Sequence, residues 1–133
     1  DQKVAFNICY EDGFGDELIA TAKRSTLLAN ISNMAWYGKS NAMYQQLQQS
    51  QARAMELGRY MVRATNTGAT AIISPKGTIV AEAQPDTETV LEGHVKGYIG
   101  ETPYMKAGGS TWLISILAVI GAFLIMIGRK KSE

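Results

Sequence analysis

Short apolar runs broken by turn residues occupy most of the chain, and one long apolar run occupies its end. Val4 to Ile8 (VAFNI) reads as a strand, and Asp12-Gly13-Phe14-Gly15 follows it as a turn. Asp16 to Ser25 (DELIATAKRS) reads as a short helix, with acids at its start and bases at its end. Thr26 to Ser32 is a mostly apolar strand, and Asn33 to Ser40 (NMAWYGKS) is loop containing Trp36 and Tyr37. From Asn41 to about Arg59 the pattern is helical: Met43, Leu47, Ala54, Leu57 and Met61 fall roughly on one face, and the glutamines form an opposite, solvated face. Three strands are expected next, at Met61 to Thr65, Ala69 to Ser74 and Thr78 to Ala83, divided by Asn66-Thr67-Gly68 and Pro75-Lys76-Gly77. After a turn at Pro85-Asp86-Thr87, the alternation of Val90, Leu91 and Val95 predicts one more strand over Glu88 to Val95. Strand, helix, strand, helix and then a meander, with no internal repeat, argue for an α/β class in which helices cover one face of a sheet.

The final run changes that picture. Ala107 to Gly128 holds 22 residues without a charge, a helix of about 33 Å against a hydrocarbon core of about 30 Å. The helix of a soluble core can be apolar too, but apolarity on every face favours a membrane span. Arg129, Lys130 and Lys131 follow at once. Clustered positive charge marks the cytoplasmic side, which puts the body on the opposite face, the periplasmic side in a bacterium. Trp112 and Tyr104 stand where an interfacial aromatic belt is expected, and Ala118 with Ala122 makes a small-xxx-small pair. The expected layout is a folded part over 1–95, a juxtamembrane linker over 96–109, a transmembrane helix over 110–128 and a basic cytoplasmic tail over 129–133.

Charge then narrows the partners. Of 13 Lys and Arg and 12 Asp and Glu, three bases and one acid lie beyond residue 109, leaving ten bases against eleven acids in the body. That balance lacks the basic face nucleic-acid binding requires. His94 is the only histidine and Cys9 the only cysteine, so no disulfide forms within the chain and no metal-ligand spacing occurs. No metal or other cofactor is expected. Asp1-Gln2-Lys3 runs straight into the first strand without a signal peptide, so the chain is expected to be the tail of a longer protein.

Cys9 sits where a strand gives way to a tight glycine-containing turn and a helix. A nucleophile at such a corner projects from the sheet edge, with backbone N–H groups of the turn available to an oxyanion. Taken singly, a cysteine at a strand end is more often a buried packing residue.

Four motifs shift that balance: NICYE at Asn7 to Glu11, ISNMAWYGKS at Ile31 to Ser40, QARAMELGRYMVRATNTGATAIISPKGTIVAE from Gln51, and TPYMKAGG from Thr102. In this order and spacing they resemble the apolipoprotein N-acyltransferases, bacterial membrane enzymes whose catalytic domain belongs to the nitrilase superfamily. The likeness covers nearly the whole chain. It implies the C-terminal part of a nitrilase-like α-β-β-α sandwich followed by one transmembrane helix, in the bacterial inner membrane. It also implies an activity: thiolate attack on a phospholipid acyl donor, then transfer of the acyl group to the amine of a diacylglyceryl-cysteine apolipoprotein acceptor.

By the same resemblance Cys9 matches the nucleophile, and Tyr10 and Glu11 match the two residues after it that support activity. Trp36 and Tyr37 match a loop bordering the active site near the membrane, where their rings contact acyl chains or pack beneath the loop. Met34 departs from the acid usual in that motif, and Lys106 from the commoner arginine. Glu11 also reads as a turn-stabilising acid, and Arg59, Arg63 and Asn66 as one structural polar network. The family's general-base glutamate and its stabilising lysine precede the cysteine, and Glu17, Lys23, Lys39 and Glu56 lie in the wrong segments to replace them. An unactivated thiol is mostly protonated at neutral pH, so these 133 residues alone are expected to be inactive. Two other readings stand beside this one: a nitrilase-type amidase delivering water to the same thioester, and a non-catalytic single-span membrane protein or remnant.

Overall fold

A computed structural model of the chain describes residues 1–38 and 40–131, the last three by their backbone; Lys39 lies outside it. The elements in order are β1 (Val4–Ile8), a 3-10 turn (Cys9–Gly13), α1 (Gly15–Ala22), β2 (Leu27–Ser32), a second 3-10 turn (Ala35–Tyr37) and α2 (Ala42–Leu57). β3 (Met61–Thr65), β4 (Ala71–Ile73), β5 (Ile79–Glu82), α3 (Pro103–Ala107) and α4 (Gly109–Lys131) complete the chain.

The strands form one sheet in sequence order, β1 to β3 parallel and β3 to β5 antiparallel. Parallel neighbours need crossovers, and α1 and α2 supply them. Both helices lie on the same face, where Leu18, Ala22, Leu47, Ala54 and Leu57 pack with Leu28, Met61, Ala71 and Ile73 into the core. α2 is built largely of good helix formers and stops at Gly58, whose φ of 60° is the left-handed cap conformation. The amide of Arg59 then returns to the carbonyl of Ala54 at 3.1 Å, closing a Schellman-type end.

The other sheet face is only partly covered. Phe6 and Ile31 stand on it from neighbouring strands, 64% and 53% exposed, with Val4 and Ile8 beside them. The segment predicted as a strand over Glu88 to Val95 has no regular structure. It runs across this face instead: Leu91 and Val95 are half-buried, and a side chain on Gly93 would meet Ile72 Cδ1 at 2.6 Å. Its alternation is real but reports a chain lying on a sheet, with no neighbouring strand to complete a ladder. Tyr98 returns to the start of β2, its amide 2.9 Å from the Thr26 carbonyl.

Residues 96–109, read as a linker, are partly packed. Thr102 caps α3 by accepting from the Met105 amide at 3.1 Å and donates to the Glu56 carbonyl at 2.5 Å, while Met105 enters the core. α4 then runs 23 residues, about 35 Å. Over Gly109–Gly128 its mean hydropathy is 2.4, and none of that stretch is buried against the rest of the described residues. It is therefore not a core helix of this domain; it is one long apolar helix of the length and character of a membrane span.

Val4, Phe6, Ile8 and Ile31 make an exposed apolar patch on one sheet face, the kind of surface that drives association. A polypeptide of residues 1–109 is expected to self-associate through it, and Phe6→Ser with Ile31→Thr to weaken the association. Sedimentation showing a cooperatively melting monomer of the unsubstituted polypeptide would contradict this.

Candidate functional site

β1 ends against a tight corner. Cys9 has a φ of 53°, one of two non-glycine residues at positive φ among the described residues, a conformation that costs on the order of 1–3 kcal/mol and persists only where surroundings over-determine it. Those surroundings are visible. The Cys9 carbonyl points inward and accepts from Gln46 Nε2 at 2.7 Å and Asn30 Nδ2 at 3.1 Å, with Ser32 Oγ at 3.5 Å. In front of the corner, the Ile8 amide donates to Glu11 Oε2 at 2.6 Å, and the Phe14 amide to the Glu11 carbonyl at 3.0 Å. Glu11 thus ties both sides of the turn together. Cys9 itself is partly exposed.

Beneath the corner lies a buried charge. Sheet register puts Asn7, Asn30 and Arg63 side by side on β1, β2 and β3, facing the helices. Arg63 is 1% exposed and uses its whole fork. Nη1 donates to Ser50 Oγ at 2.8 Å and to Asn30 Oδ1 and Asp12 Oδ2 at 3.1 Å. Nη2 donates to Gln46 Oε1 at 2.7 Å and Nε to the Ala69 carbonyl at 3.2 Å. Ser50 also donates to Asp12. Burial pushes the Asp12 carboxyl up, against the Ser50 hydrogen bond and the Arg63 charge, which pull it down. Burial likewise lowers Arg63, against the charge of Asp12. With five hydrogen bonds and a fully enclosed counter-ion, the guanidinium remains charged.

Tyr10, the residue after the cysteine, is half exposed, its ring edge-on to Phe14 at 5.7 Å. Across from it stands Tyr37. The two border a cavity of about 140 Å³ whose other walls are Met34, Ala42, Gln45, Gln46 and Gln49. Its wall residue Gln46 is the one bonded to the Cys9 carbonyl, so the cavity adjoins the corner. Trp36 is 86% exposed and does not line it. The structure therefore brings Cys9, Tyr10, Glu11 and Tyr37 into one neighbourhood and points Trp36 away into solvent. Met34, at the position where the resemblance expects an acid, is buried against Gly68, whose added Cβ would lie 2.7 Å from Met34 Cγ.

Two readings of the sequence need correction. The glutamines of α2 are not all a solvated face, because Gln46 is buried in the polar cluster. Arg59, Arg63 and Asn66 do not form one network. Arg59 donates to the last carbonyls of α1 and α2, Ala22 at 3.4 Å and Leu57 at 3.3 Å, and ties them to the loop carbonyls of Ser25 at 3.1 Å and Gly100 at 2.8 Å. Asn66 pins the loop after β2, accepting from the Met34 amide at 2.9 Å and donating to Asn33 at 2.8 Å. Glu56 pairs with Arg53 at 2.7 Å, where α2 faces the start of α1. Asp12, Asn30, Ser32, Gln46 and Ser50 escaped notice. One signal existed: Gln46 and Ser50 fall on the same helical face as Leu47, Ala54 and Leu57, where a polar residue needs a partner.

The model of the carbon-nitrogen hydrolase family matches residues 1–104. The apolipoprotein N-acyltransferase of Neisseria meningitidis serogroup B is 80% identical over all 133 residues, and that of Chromobacterium violaceum is 52% identical over 132, or 99% of the chain. The chain spans 26% of the length of each of these relatives. Among solved structures, an amidase from Nesterenkonia sp. superposes with a TM-score of 0.51 at 20% identity, over 62% of this chain and 34% of that one. The C. elegans NitFhit protein gives 0.51 at 24%, over 62% and 22%. These structures share the fold.

The buried pair sets an expectation for stability. Asp12→Asn leaves the Arg63 charge without its counter-ion and is expected to cost about 3–5 kcal/mol. Ser32→Ala, which removes the longest of the contacts to Cys9, is expected to cost about 1 kcal/mol. Denaturant unfolding of the full-length protein in detergent measures both; equal stability of Asp12→Asn and the parent would show that the pair does not hold the turn.

Proposed function

Since the chain belongs to the carbon-nitrogen hydrolase family, we propose that it carries the nucleophile of an apolipoprotein N-acyltransferase, with Cys9 as the attacking thiolate. The observation that carries this reading is the Cys9 corner: a positive-φ residue at the C-terminal end of a strand, its carbonyl drawn inward by Gln46 and Asn30. That is the arrangement of a nucleophile elbow, where backbone strain presents the side chain for reaction.

The Cys9 thiolate attacks the ester carbonyl of a phospholipid, forming a C–S bond. The C–O bond then breaks, and the lysophospholipid leaves as an alcohol after taking up a proton. In the second half, the amine of a diacylglyceryl-cysteine lipoprotein attacks the thioester; a C–N bond forms, the C–S bond breaks and the amine proton is passed to the base. The Tyr10 backbone N–H donates to the oxyanion in both halves. Glu11 keeps that N–H aimed by fixing the turn through Ile8. The glutamate base and the lysine come from the family's segments ahead of the cysteine. Tyr37, on the cavity wall beside Tyr10, contacts the acyl chain, and Trp36 dips toward the lipid.

Residues 1–95 form the C-terminal portion of the catalytic domain, and α4 anchors it in the inner membrane. The positive run at 129–131 supports a cytoplasmic C-terminus with the folded part in the periplasm. A lipid donor and a lipid-anchored acceptor both require a site beside the bilayer, which is what the apolar helix provides and an amidase acting in water would not need.

Intact-mass spectrometry of the full-length protein, incubated with phospholipid and no acceptor, is expected to show an acyl increment that hydroxylamine removes and Cys9→Ala lacks. A folded protein with no increment would leave Cys9 a packing residue and favour the non-catalytic reading. Tyr37→Ala is expected to slow formation of that increment more than Trp36→Ala; the reverse order would move acyl contact to the exposed ring.

A further inference from the structure

α4 does not hang from the folded part on a free tether. Asp16, in the first turn of α1, reaches its N-terminal end: Oδ1 accepts from the Gly109 amide at 2.8 Å and from the Tyr104 hydroxyl at 2.7 Å, and Oδ2 accepts from the Ser110 hydroxyl at 3.3 Å. The first amides of a helix have no partner within it, and a carboxylate there also opposes the positive end of the helix dipole. Here that partner comes from a residue 93 positions away in sequence. The hydrogen bonds from Gly109 and Tyr104 hold the Asp16 carboxyl below its usual range, and burial together with Asp16 pushes the Tyr104 hydroxyl up to about 12.

Neighbouring contacts make the approach close. A side chain on Gly15 would lie within 3 Å of the Arg53 guanidinium and 2.7 Å from the Tyr104 hydroxyl oxygen, so α1 packs closely against both here and a larger residue would displace them. α3 is itself fixed by Met105 in the core and by Thr102 on Glu56. Between α3 and α4 stand Gly108, at a φ of 73°, and Gly109. Two adjacent glycines would form a loose joint if nothing spanned it. Asp16 spans it. The stretch that ends at Asp16 begins at the corner itself, since the 3-10 turn from Cys9 to Gly13 leads through Phe14 directly into α1.

We propose that Asp16 is a positioning residue, clamping the start of the membrane helix to the helix that follows Cys9 so that the span sets the height and tilt of Cys9 over the bilayer. A phospholipid presents its ester at a fixed depth, so a thiol held at the matching height meets it without a search, whereas a dissolved ester arrives from any direction. The consequence for rate rests on the nucleophilic role proposed for Cys9; the clamp itself does not.

The test uses the full-length protein in phosphatidylethanolamine vesicles. Asp16→Ala and Tyr104→Phe are expected to slow acylation of Cys9 by vesicle phospholipid by about tenfold or more, and to leave acetylation by water-soluble p-nitrophenyl acetate unchanged. Asp16→Asn, which keeps an acceptor oxygen, is expected to fall between. Independently of any chemistry, spin labels on Gln48→Cys and Ile116→Cys in a Cys9→Ala background are expected to report a narrow distance that broadens with Asp16→Ala. Equal loss with both donors would overturn the proposal, because Asp16 would then act through the corner. An unbroadened distance would overturn it as well. Acylation of the parent by neither donor would instead refute the role of Cys9, and the distance measurement would still decide the clamp.

Discussion

Arg63 carries a full positive charge on the middle strand of the sheet, where no water reaches it, and the rest of the site is arranged around that fact. A guanidinium cannot shed its proton to escape burial, so acceptors must be brought to it from every adjoining element. Asp12 comes from the turn after β1, Asn30 from β2, Gln46 and Ser50 from α2, and the Ala69 carbonyl from the loop before β4. Two of those residues, Asn30 and Gln46, then have amide hydrogens left over. Both donate them to the Cys9 carbonyl. The strain at Cys9 is thus held by two of the groups that accept from Arg63, which couples the geometry of the corner to the integrity of the core beneath it.

The sheet divides the molecule into two environments. One face is sealed by α1 and α2 around a mixed core, apolar toward the start of the strands and polar under their C-terminal ends. The other face keeps Phe6, Ile8 and Ile31 open beyond the reach of the segment that crosses Ile72. Parallel strands place the ends that follow β1 and β2 on the same edge, so the Cys9 turn and the Trp36 loop adjoin, as expected for sites in α/β sheets. α4 starts on that same side, against the beginning of α1. Corner, aromatic loop and apolar helix therefore share one end of the fold, which suits chemistry at a membrane surface.

Most of the fold was legible along the chain because its signals are local. The short apolar runs of β1 to β3, the turns at Asn66-Thr67-Gly68 and Pro75-Lys76-Gly77, and the helical period of α2 each depend on residues within a few positions of one another. The elements expected from the sequence, the strand at Glu88 to Val95 excepted, lie within two or three residues of their bounds, and α3 falls inside the stretch read as a linker. Glu88 to Val95 failed for a definable reason: alternation shows that every second residue faces something, and does not say whether a neighbouring strand supplies hydrogen bonds. The polar cluster was harder. Asn30 lies 33 residues from its partner Arg63, and only the register of β2 against β3 brings it there.

By itself the sequence determined the α/β order of elements, the long uncharged apolar helix, the corner at Cys9 and, through its motifs, the family. Tertiary structure decided which polar side chains are buried, that Tyr37 and not Trp36 lines the cavity beside Tyr10, and that Asp16 caps a helix beginning far along the chain. The division has one physical cause. Backbone periodicity and turn chemistry are written within a few residues, whereas a buried charge or an uncapped helix end can be satisfied by any chemically suitable group that folding carries to it, and nothing in the linear order says which.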